Sequence, residues 1–306
     1  MSKPEASVAY ERRSSVGIGH VGVQDGHCAR QARNKYAAFL IRYQASSLKT
    51  LPIVSPYALA LREALPSEAQ RPEALLQAFG SDPFLAARFL GDANSMFFNP
   101  SHREILTLQE ALEHLGLEHA LRLLAQPQPE AKCFVSEAFG TFWAHSVAVS
   151  VAAQQIARLM RIPGIDPEAA RVLGLIHDIG YLVEARYDAR LTSNPQPVNG
   201  ESADQHTDRA RLGASLAVAW SLPQCMQRVF EDPAVGPTRA VATLIRLARS
   251  AAQCGPHSAV YDERALEALG LQISDLARVA QTARHHCQEA LHVVGLLSIA
   301  SSLAPA

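Results

Sequence analysis

Several features that define large protein classes are missing from this sequence of 306 residues. The five cysteines are scattered, odd in number and never spaced as C-x-x-C, which argues against a disulfide framework or a zinc ribbon and favours free thiols. No P-loop pattern is present, and no segment shows a convincing strand-like alternation of apolar and polar residues. The sequence therefore gives no sign of a nucleotide-binding α/β fold or of a secreted, disulfide-rich domain.

Charge of one sign and long apolar runs are also lacking. The 28 basic and 29 acidic residues give a formal net charge of -1, which does not favour nucleic acid or an anionic membrane surface as a partner. The N-terminal segment has no apolar stretch typical of a secretory signal. The longest apolar tract, near residues 291–304, has about 14 residues and is too short to span a bilayer. We therefore expect a cytoplasmic protein with neither nucleic-acid nor membrane partners.

What the sequence does contain is helical patterning, with recognisable helix starts. Asp-Pro pairs at Asp82 and Asp166 predict N-caps followed by proline in the first helical turn. Thr107 and Glu110 have the spacing of a capping box, and apolar residues then follow at helical intervals. Gly180 is predicted to end the later helix as its C-terminal glycine. These patterns predict an all-α fold.

The prolines and polar stretches suggest how the chain is divided. Residues 1–28 are predicted to form a flexible arm, 29–128 an N-terminal helical subdomain, and 132–300 a second helical subdomain packed against it. The proline-containing segment 126–133 would separate the two, and the polar segment 187–206 reads as a long surface loop. The fold prediction is therefore two packed helical subdomains.

Four further residues have structural interpretations. Trp143 and Trp220 lie in apolar helical segments and are expected in the core. Asn94 and Ser95 follow a predicted helix, where their side chains would hydrogen-bond the helix end. None of the four needs a ligand to explain it.

Five segments in order resemble the HDOD proteins, bacterial regulatory proteins related to the HD phosphohydrolases. The segments read DPFLAARFLGDANSMFF, TLQEALEHLGLEHALRLL, FWAHSVAVSVAAQQIA, ARVLGLIHDIGYLV and LGASLAVAWSLP, and the resemblance covers about residues 48–250. It implies a helical bundle over about 48–128, an HD-like helical domain over about 132–300, and a role in signal transduction with a signalling protein as partner.

The resemblance also implies a candidate metal site. His145 matches the early histidine of the active relatives, His177 and Asp178 match their His-Asp pair, and His206 lies where a later histidine falls. Imidazole and carboxylate together suit a divalent transition metal, which would activate water for attack on a phosphoryl group. These four residues are the predicted metal ligands, although the function that we favour requires no cofactor.

The rest of the ligand set departs from the active relatives. No histidine occurs between His206 and His257, so the relatives' paired later histidine is absent. Arg249 stands where they carry the late aspartate, and a guanidinium cannot ligate a metal ion. Tyr181 takes the place of their lysine. The sequence therefore favours a non-catalytic regulatory module that acts by binding a protein or a small ligand.

Two other interpretations stay open at the level of sequence. A metal-dependent phosphohydrolase with a reduced set of ligands could use the four candidate residues. Alternatively, Arg249 could contact an anionic, nucleotide-like ligand in the place of the lost metal. A purely structural role for the His-Asp pair is a further alternative, because a histidine at a helix end can bond the last carbonyl groups.

Overall fold

The computed structural model describes residues 58, 61–62, 71–126, 137–160, 166–181, 212–227, 230, 239–252 and 263–293. Every regular element in these ranges is a helix, which confirms the predicted all-α class. No helix in this part of the chain is both long and apolar enough to cross a membrane. The predicted N-terminal arm, the 187–206 loop and nearly all of the 126–133 separator lie outside the described residues.

Ten helices with defined bounds follow one another along the chain, and residues 212–219 form a further helical segment. The ten are α1 (Pro72–Ser81), α2 (Pro83–Asn94), α3 (Leu108–Leu115), α4 (Leu117–Leu124), α5 (Glu137–Leu159), α6 (Pro167–Ile176), α7 (Gln224–Gln227), α8 (Arg239–Ala251), α9 (Glu263–Ala268) and α10 (Ile273–Val293).

The three predicted helix starts are confirmed. The Asp82 carboxylate accepts hydrogen bonds from the backbone N–H groups of Phe84 and Leu85, at 3.0 and 2.9 Å. Asp166 does the same at the start of α6. At α3 the Thr107 and Glu110 side chains form the reciprocal capping box. Such caps matter because the first N–H groups of a helix have no partner within it.

The loop after α2 is held by the side chain of Asn94. Its Nδ2 donates to the carbonyl oxygens of Leu90 and Ile105, at 2.8 and 2.9 Å, and its Oδ1 accepts from the Ile105 N–H at 2.9 Å. Ser95 Oγ bonds the Asp92 carbonyl at 2.8 Å. The predicted hydrogen-bonding role of Asn94 and Ser95 at the helix end is thus confirmed, and it extends to the segment that leads into α3.

The long helix α5 is the centre of the second group of helices, because α6, α8 and α10 all pack on it. Its contact with α6 depends on Gly174. A Cβ at that position would lie 2.7 Å from the Val149 carbonyl oxygen and 2.8 Å from Ser150 Cα, closer than real Cβ atoms approach. The absence of a side chain therefore lets the two backbones come together and sets where the end of α6 meets α5.

Two tryptophans connect α1 and α2 with the rest of the molecule, and both lie in the core as predicted. The Trp143 indole N–H donates to the Ser81 carbonyl at 2.6 Å, while Trp220 packs edge-to-face on Phe84 with ring centroids 5.9 Å apart. A Cβ on Gly91 would lie only 2.2 Å from the Trp220 carbonyl oxygen. One hydrophobic cluster runs through helices of both predicted subdomains. The division at 126–133 stays a prediction.

The prediction for Gly180 is wrong. Helix α6 already ends at Ile176, with His177 as its C-cap, and residues 179–181 form a new helical turn that contains the buried Gly180. Gly180 is not among the described glycines with positive φ, which are Gly116 and Gly270. The helix stops early because His177 bonds the Gly174 carbonyl through its own side chain, so no left-handed glycine is needed there.

Candidate functional site

The His-Asp pair lies where α6 ends against the middle of α5. His177 and Asp178 form the turn after α6 and are 7% and 8% exposed. His145 lies in the third turn of the long helix that packs on α6. The close approach at Gly174, one helical turn before His177, brings the two histidines together although 31 residues separate them in sequence.

The imidazole rings of His145 and His177 lie edge-to-face, with centroids 5.3 Å apart and planes at 64°. His177 Nδ1 is 2.7 Å from the Gly174 carbonyl oxygen. Because a carbonyl only accepts, this nitrogen carries the proton and donates it. The predicted convergence of the two histidines is therefore present, and the predicted bond from a histidine to a helix-end carbonyl is present as well.

His145 is kept neutral. Burial, and to a smaller extent the positive charge of Arg249, lower the pKa of His145 from 6.5 to about 3. The side chain as a whole is only partly buried, but its Nε2 is fully enclosed and has no hydrogen-bond partner in the structure. Protonation at that atom would place a charge in an apolar setting beside a guanidinium.

Arg249 is the charged group that acts on His145. It lies in the last turn of α8, which packs on both α5 and α6. In the active relatives this position would carry a carboxylate and attract a metal ion. Here a positive charge faces the same region, which opposes a divalent cation.

Tyr181 lies in the short helical turn that follows the His-Asp pair. It is 4% exposed, and its ring stacks on that of Phe142 with centroids 5.1 Å apart and planes at 16°. Where the resemblance would place a lysine close to a phosphoryl group, the chain has a buried aromatic pair. The surroundings of the histidine pair are therefore those of a packed core.

The four predicted metal ligands are only partly placed together. His145, His177 and Asp178 lie at one helix junction, but His206 falls outside the described residues. Within the ranges that the structure describes, no three His, Cys, Asp or Glu side chains are grouped closely enough to hold a metal ion. The neutral Nε2 of His145 suits a metal, whereas the charge of Arg249 does not. The four-residue metal site stays a prediction.

The sequence alone did not identify Arg171 as a candidate site residue. Arg171 of α6 is the single position between 169 and 181 that is not fully buried, and it lines a cavity between α6 and the first helices. The signal was available, because Arg171 interrupts the otherwise apolar run from Ala169 to Ile176. An arginine in an amphipathic helix is ordinarily solvated, so the spacing alone did not distinguish it.

Comparison with known proteins agrees with this geometry. Residues 51–233 match the HDOD domain, and the match covers well over half of the chain, so the chain belongs to the HDOD family. The structure is similar to the crystal structure of the MmoQ response regulator from Methylococcus capsulatus str. Bath, with a TM-score of 0.61 and 25% identity over 76% of this chain and 98% of that one. A fragment of the same regulator gives a TM-score of 0.59 at 25% identity, over 75% and 94% of the two chains. No protein with a curated description matches the sequence.

Proposed function

We propose that this HDOD-family chain is a signal-transduction module that regulates by binding a partner protein or a small ligand and does not hydrolyse phosphate esters. The signalling role is supported by the family and by the similarity to a response regulator. The chain needs no cofactor for such a function.

One observation carries the non-catalytic part of the proposal: a guanidinium stands beside the histidine pair. A phosphohydrolase of this kind needs a divalent cation to activate water and to offset charge on the phosphoryl group. Arg249 is close enough to lower the pKa of His145, so it would act on a cation at the same place with the same sign. Tyr181, where the resemblance implies a lysine, is stacked on Phe142 and supplies no cation for phosphate.

Assays of hydrolysis with matched variants test the proposal. The purified chain would be incubated with p-nitrophenyl phosphate, ATP and a cyclic dinucleotide, each with added Mn²⁺ or Mg²⁺. We expect no turnover above the no-protein background. Turnover that is lost in His177→Ala and in Asp178→Ala, but kept in His119→Ala, would overturn the proposal. His119 is a suitable control because it pairs with Asp92 on α2, away from the His-Asp turn.

A metal-dependent phosphohydrolase with His145, His177, Asp178 and His206 as ligands is the second candidate. The observation in its favour is the enclosed Nε2 of His145, which is neutral and has no hydrogen-bond partner. Neutral imidazole nitrogen is the form that binds transition metals.

Elemental analysis separates the two candidates. The protein would be purified without chelator, and a second sample would be equilibrated with Mn²⁺, Ni²⁺ or Zn²⁺ before desalting. The second candidate requires close to one equivalent of metal that is lost in His145→Ala. Less than about a tenth of an equivalent in both samples would rule it out.

A small ligand at the histidine pair would be anionic and nucleotide-like, with Arg249 as its contact. Arginine suits such a ligand because its planar guanidinium matches phosphate and carboxylate oxygens. Titration with ATP and with a cyclic dinucleotide, compared between the wild type and Arg249→Met, tests this route. Equal affinity of the two proteins would remove Arg249 from the site.

A further inference from the structure

We infer that the cavity between α1, α3 and α6 binds a small organic anion with an apolar body, and that Arg171 is the residue that contacts the anionic group. The cavity would be the ligand site of the proposed binding function, and only its biological meaning rests on that function. The cavity shares no residue with the His-Asp turn, so its occupancy can be tested apart from hydrolysis or metal binding.

The cavity has the size and the lining of a ligand site. Its volume is about 370 Å³, which lies within the range of small-molecule pockets. Four apolar side chains line it, from α1, α3 and α6: Leu76, Leu108, Val172 and Leu175. A ligand that filled the cavity would displace water from these apolar side chains, so its body should be apolar.

Arg171 brings a positive charge into this cavity. Its Nε is buried and has no hydrogen-bond partner, and its guanidinium forms no ion pair with any residue that the structure describes. A buried guanidinium nitrogen without an acceptor is unfavourable, since the lost hydration is not replaced. A carboxylate or phosphate would replace it with a charge-assisted hydrogen bond.

The two carboxylates at the rim already have donors. Asp166 Oδ1 accepts from the backbone N–H groups of Glu168 and Ala169, at 2.7 and 3.1 Å. Glu168 Oε1 accepts from Gln154 Nε2 at 2.6 Å and from the Arg158 guanidinium at 3.3 Å. Among the residues that line the cavity, the buried polar side-chain atom without a hydrogen-bond partner is therefore Arg171 Nε, and an acceptor on the ligand would satisfy it.

The start of α3 adds weaker support. Leu108 and Gln109 are the first two residues of that helix, and both line the cavity. Backbone N–H groups at these positions have no partner within the helix, and the capping box uses those of Leu106, Thr107 and Glu110 instead. The partial positive charge of a helix N-terminus favours an anion in the same direction as Arg171 does.

Binding of three simple compounds tests the chemistry. Hexanoate combines an apolar body with a carboxylate, 1-hexanol keeps the body without the charge, and inorganic phosphate keeps charge without the body. Each would be titrated into the full chain while the Arg171 Nε–H resonance and the leucine and valine methyl resonances are followed by NMR. We expect saturable shifts with hexanoate and at least about tenfold weaker binding of the other two, which corresponds to about 1.4 kcal/mol.

Three variants connect the binding to the cavity. Arg171→Met should weaken hexanoate binding at least about tenfold. The affinity of Arg171→Lys should lie between those of the wild type and Arg171→Met, because lysine keeps the charge but not the fork of donors. Gly80→Leu should abolish binding by filling the space, because a Cβ at Gly80 meets only the Leu108 and Arg171 side-chain ends, at 3.6 and 3.8 Å. Arg122→Met, at an exposed position of α4, is the matched control and should bind as the wild type does.

Thermal unfolding of each variant shows that it is folded before its binding is compared. Arg171→Met should unfold no earlier than the wild type, since it removes a charge that has no partner. Equal hexanoate affinity in the wild type and Arg171→Met would overturn the inference. Shifts confined to residues outside the cavity, or no saturation by hexanoate, would do the same.

Discussion

Helix α6 is packed tightly against α5 and loosely against α1 and α3. On the α5 side, the missing side chain of Gly174 lets the backbones of the two helices approach closely, and the nearby His145 is neutral with an enclosed Nε2. On the other side, a cavity of about 370 Å³ remains, and the buried Nε of Arg171, which lines it, has no hydrogen-bond partner among the described residues. His177 and Asp178, the paired residues of the family pattern, thus lie at the tightly packed side of α6. The cavity that could hold a ligand lies on another face of the same helix.

The largest expected effect comes from filling the tight side. Gly174→Ala would place a Cβ 2.7 Å from the Val149 carbonyl oxygen and 2.8 Å from Ser150 Cα, and backbone atoms cannot rotate away as a side chain can. We expect α5 and α6 to separate locally and the free energy of unfolding to fall by about 3 kcal/mol. Urea unfolding followed by circular dichroism measures it. An unchanged midpoint would mean that the helices are not held as closely as described.

Acid should weaken the tight side next. The pKa of His145 is 6.5 when unfolded and about 3 when folded, so below pH 6.5 the unfolded chain binds a proton that the folded chain does not. Stability contributed by this group is therefore lost as pH falls from 6.5 towards 3. Because the side chain is partly exposed, about 2 kcal/mol is an upper limit for the loss between pH 7.5 and 5.

His145→Gln serves as the control for this pH dependence, because glutamine is polar and does not titrate. Urea midpoints at pH 7.5, 6.5, 5.5 and 5.0 should fall less steeply for the variant than for the wild type. Parallel curves for the two proteins would contradict the neutral, buried state of His145. The other groups that titrate in this range contribute equally to both curves.

Arg249 should have a smaller effect on the same histidine. Arg249→Met removes the second cause of the lowered pKa but leaves the first, which is burial. The pKa of His145 should therefore rise but stay below its usual value of 6.5, because burial still lowers it. Arg249→Lys, which keeps the charge, should leave it nearly unchanged. Titration of the imidazole resonances by NMR measures both, and a pKa in Arg249→Met equal to that of the wild type would place the guanidinium too far away to act.

The smallest effect is a gain, on the loose side. Gly80→Ala adds a methyl group that would make only ordinary contacts, at 3.6 and 3.8 Å, inside helix α1. Alanine loses less backbone freedom on folding than glycine, so the free energy of unfolding should rise by about 0.5–1 kcal/mol. The opposite signs expected for Gly80→Ala and Gly174→Ala are a direct test of the difference in packing. A loss of stability in both variants would contradict the difference in packing between the two sides of α6.

Local features of the sequence predicted the fold well. Asp82, Asp166 and the Thr107–Glu110 pair cap helices with atoms only two or three residues away, so the sequence contains the whole interaction. Gly180 failed under the same kind of rule, because the competing contact came from the His177 side chain. The rule for a C-terminal glycine considers backbone conformation only, so it does not account for a side chain that bonds a carbonyl at the helix end.

The site was predictable only in part. The partnership of His145 with His177 came from the resemblance, since 31 intervening residues give no spacing rule, and the structure places their rings together. The cavity was not predictable, because the apolar walls around Arg171 come from helices that begin about a hundred and about sixty residues earlier. Such a space depends on how well distant helices fit, and helical periodicity indicates only which face of each is buried.

Both tryptophans of the chain lie where α1 and α2 meet the later helices, with Trp143 bonded to the Ser81 carbonyl and Trp220 against Phe84 and Gly91. The intrinsic fluorescence of the protein is consequently a reporter of this one junction. A ligand or partner that shifts α1 and α2 relative to α5 would alter the emission without any added dye. Tryptophan fluorescence can therefore report a movement of α1 and α2 relative to α5, of the kind that a regulatory module would need.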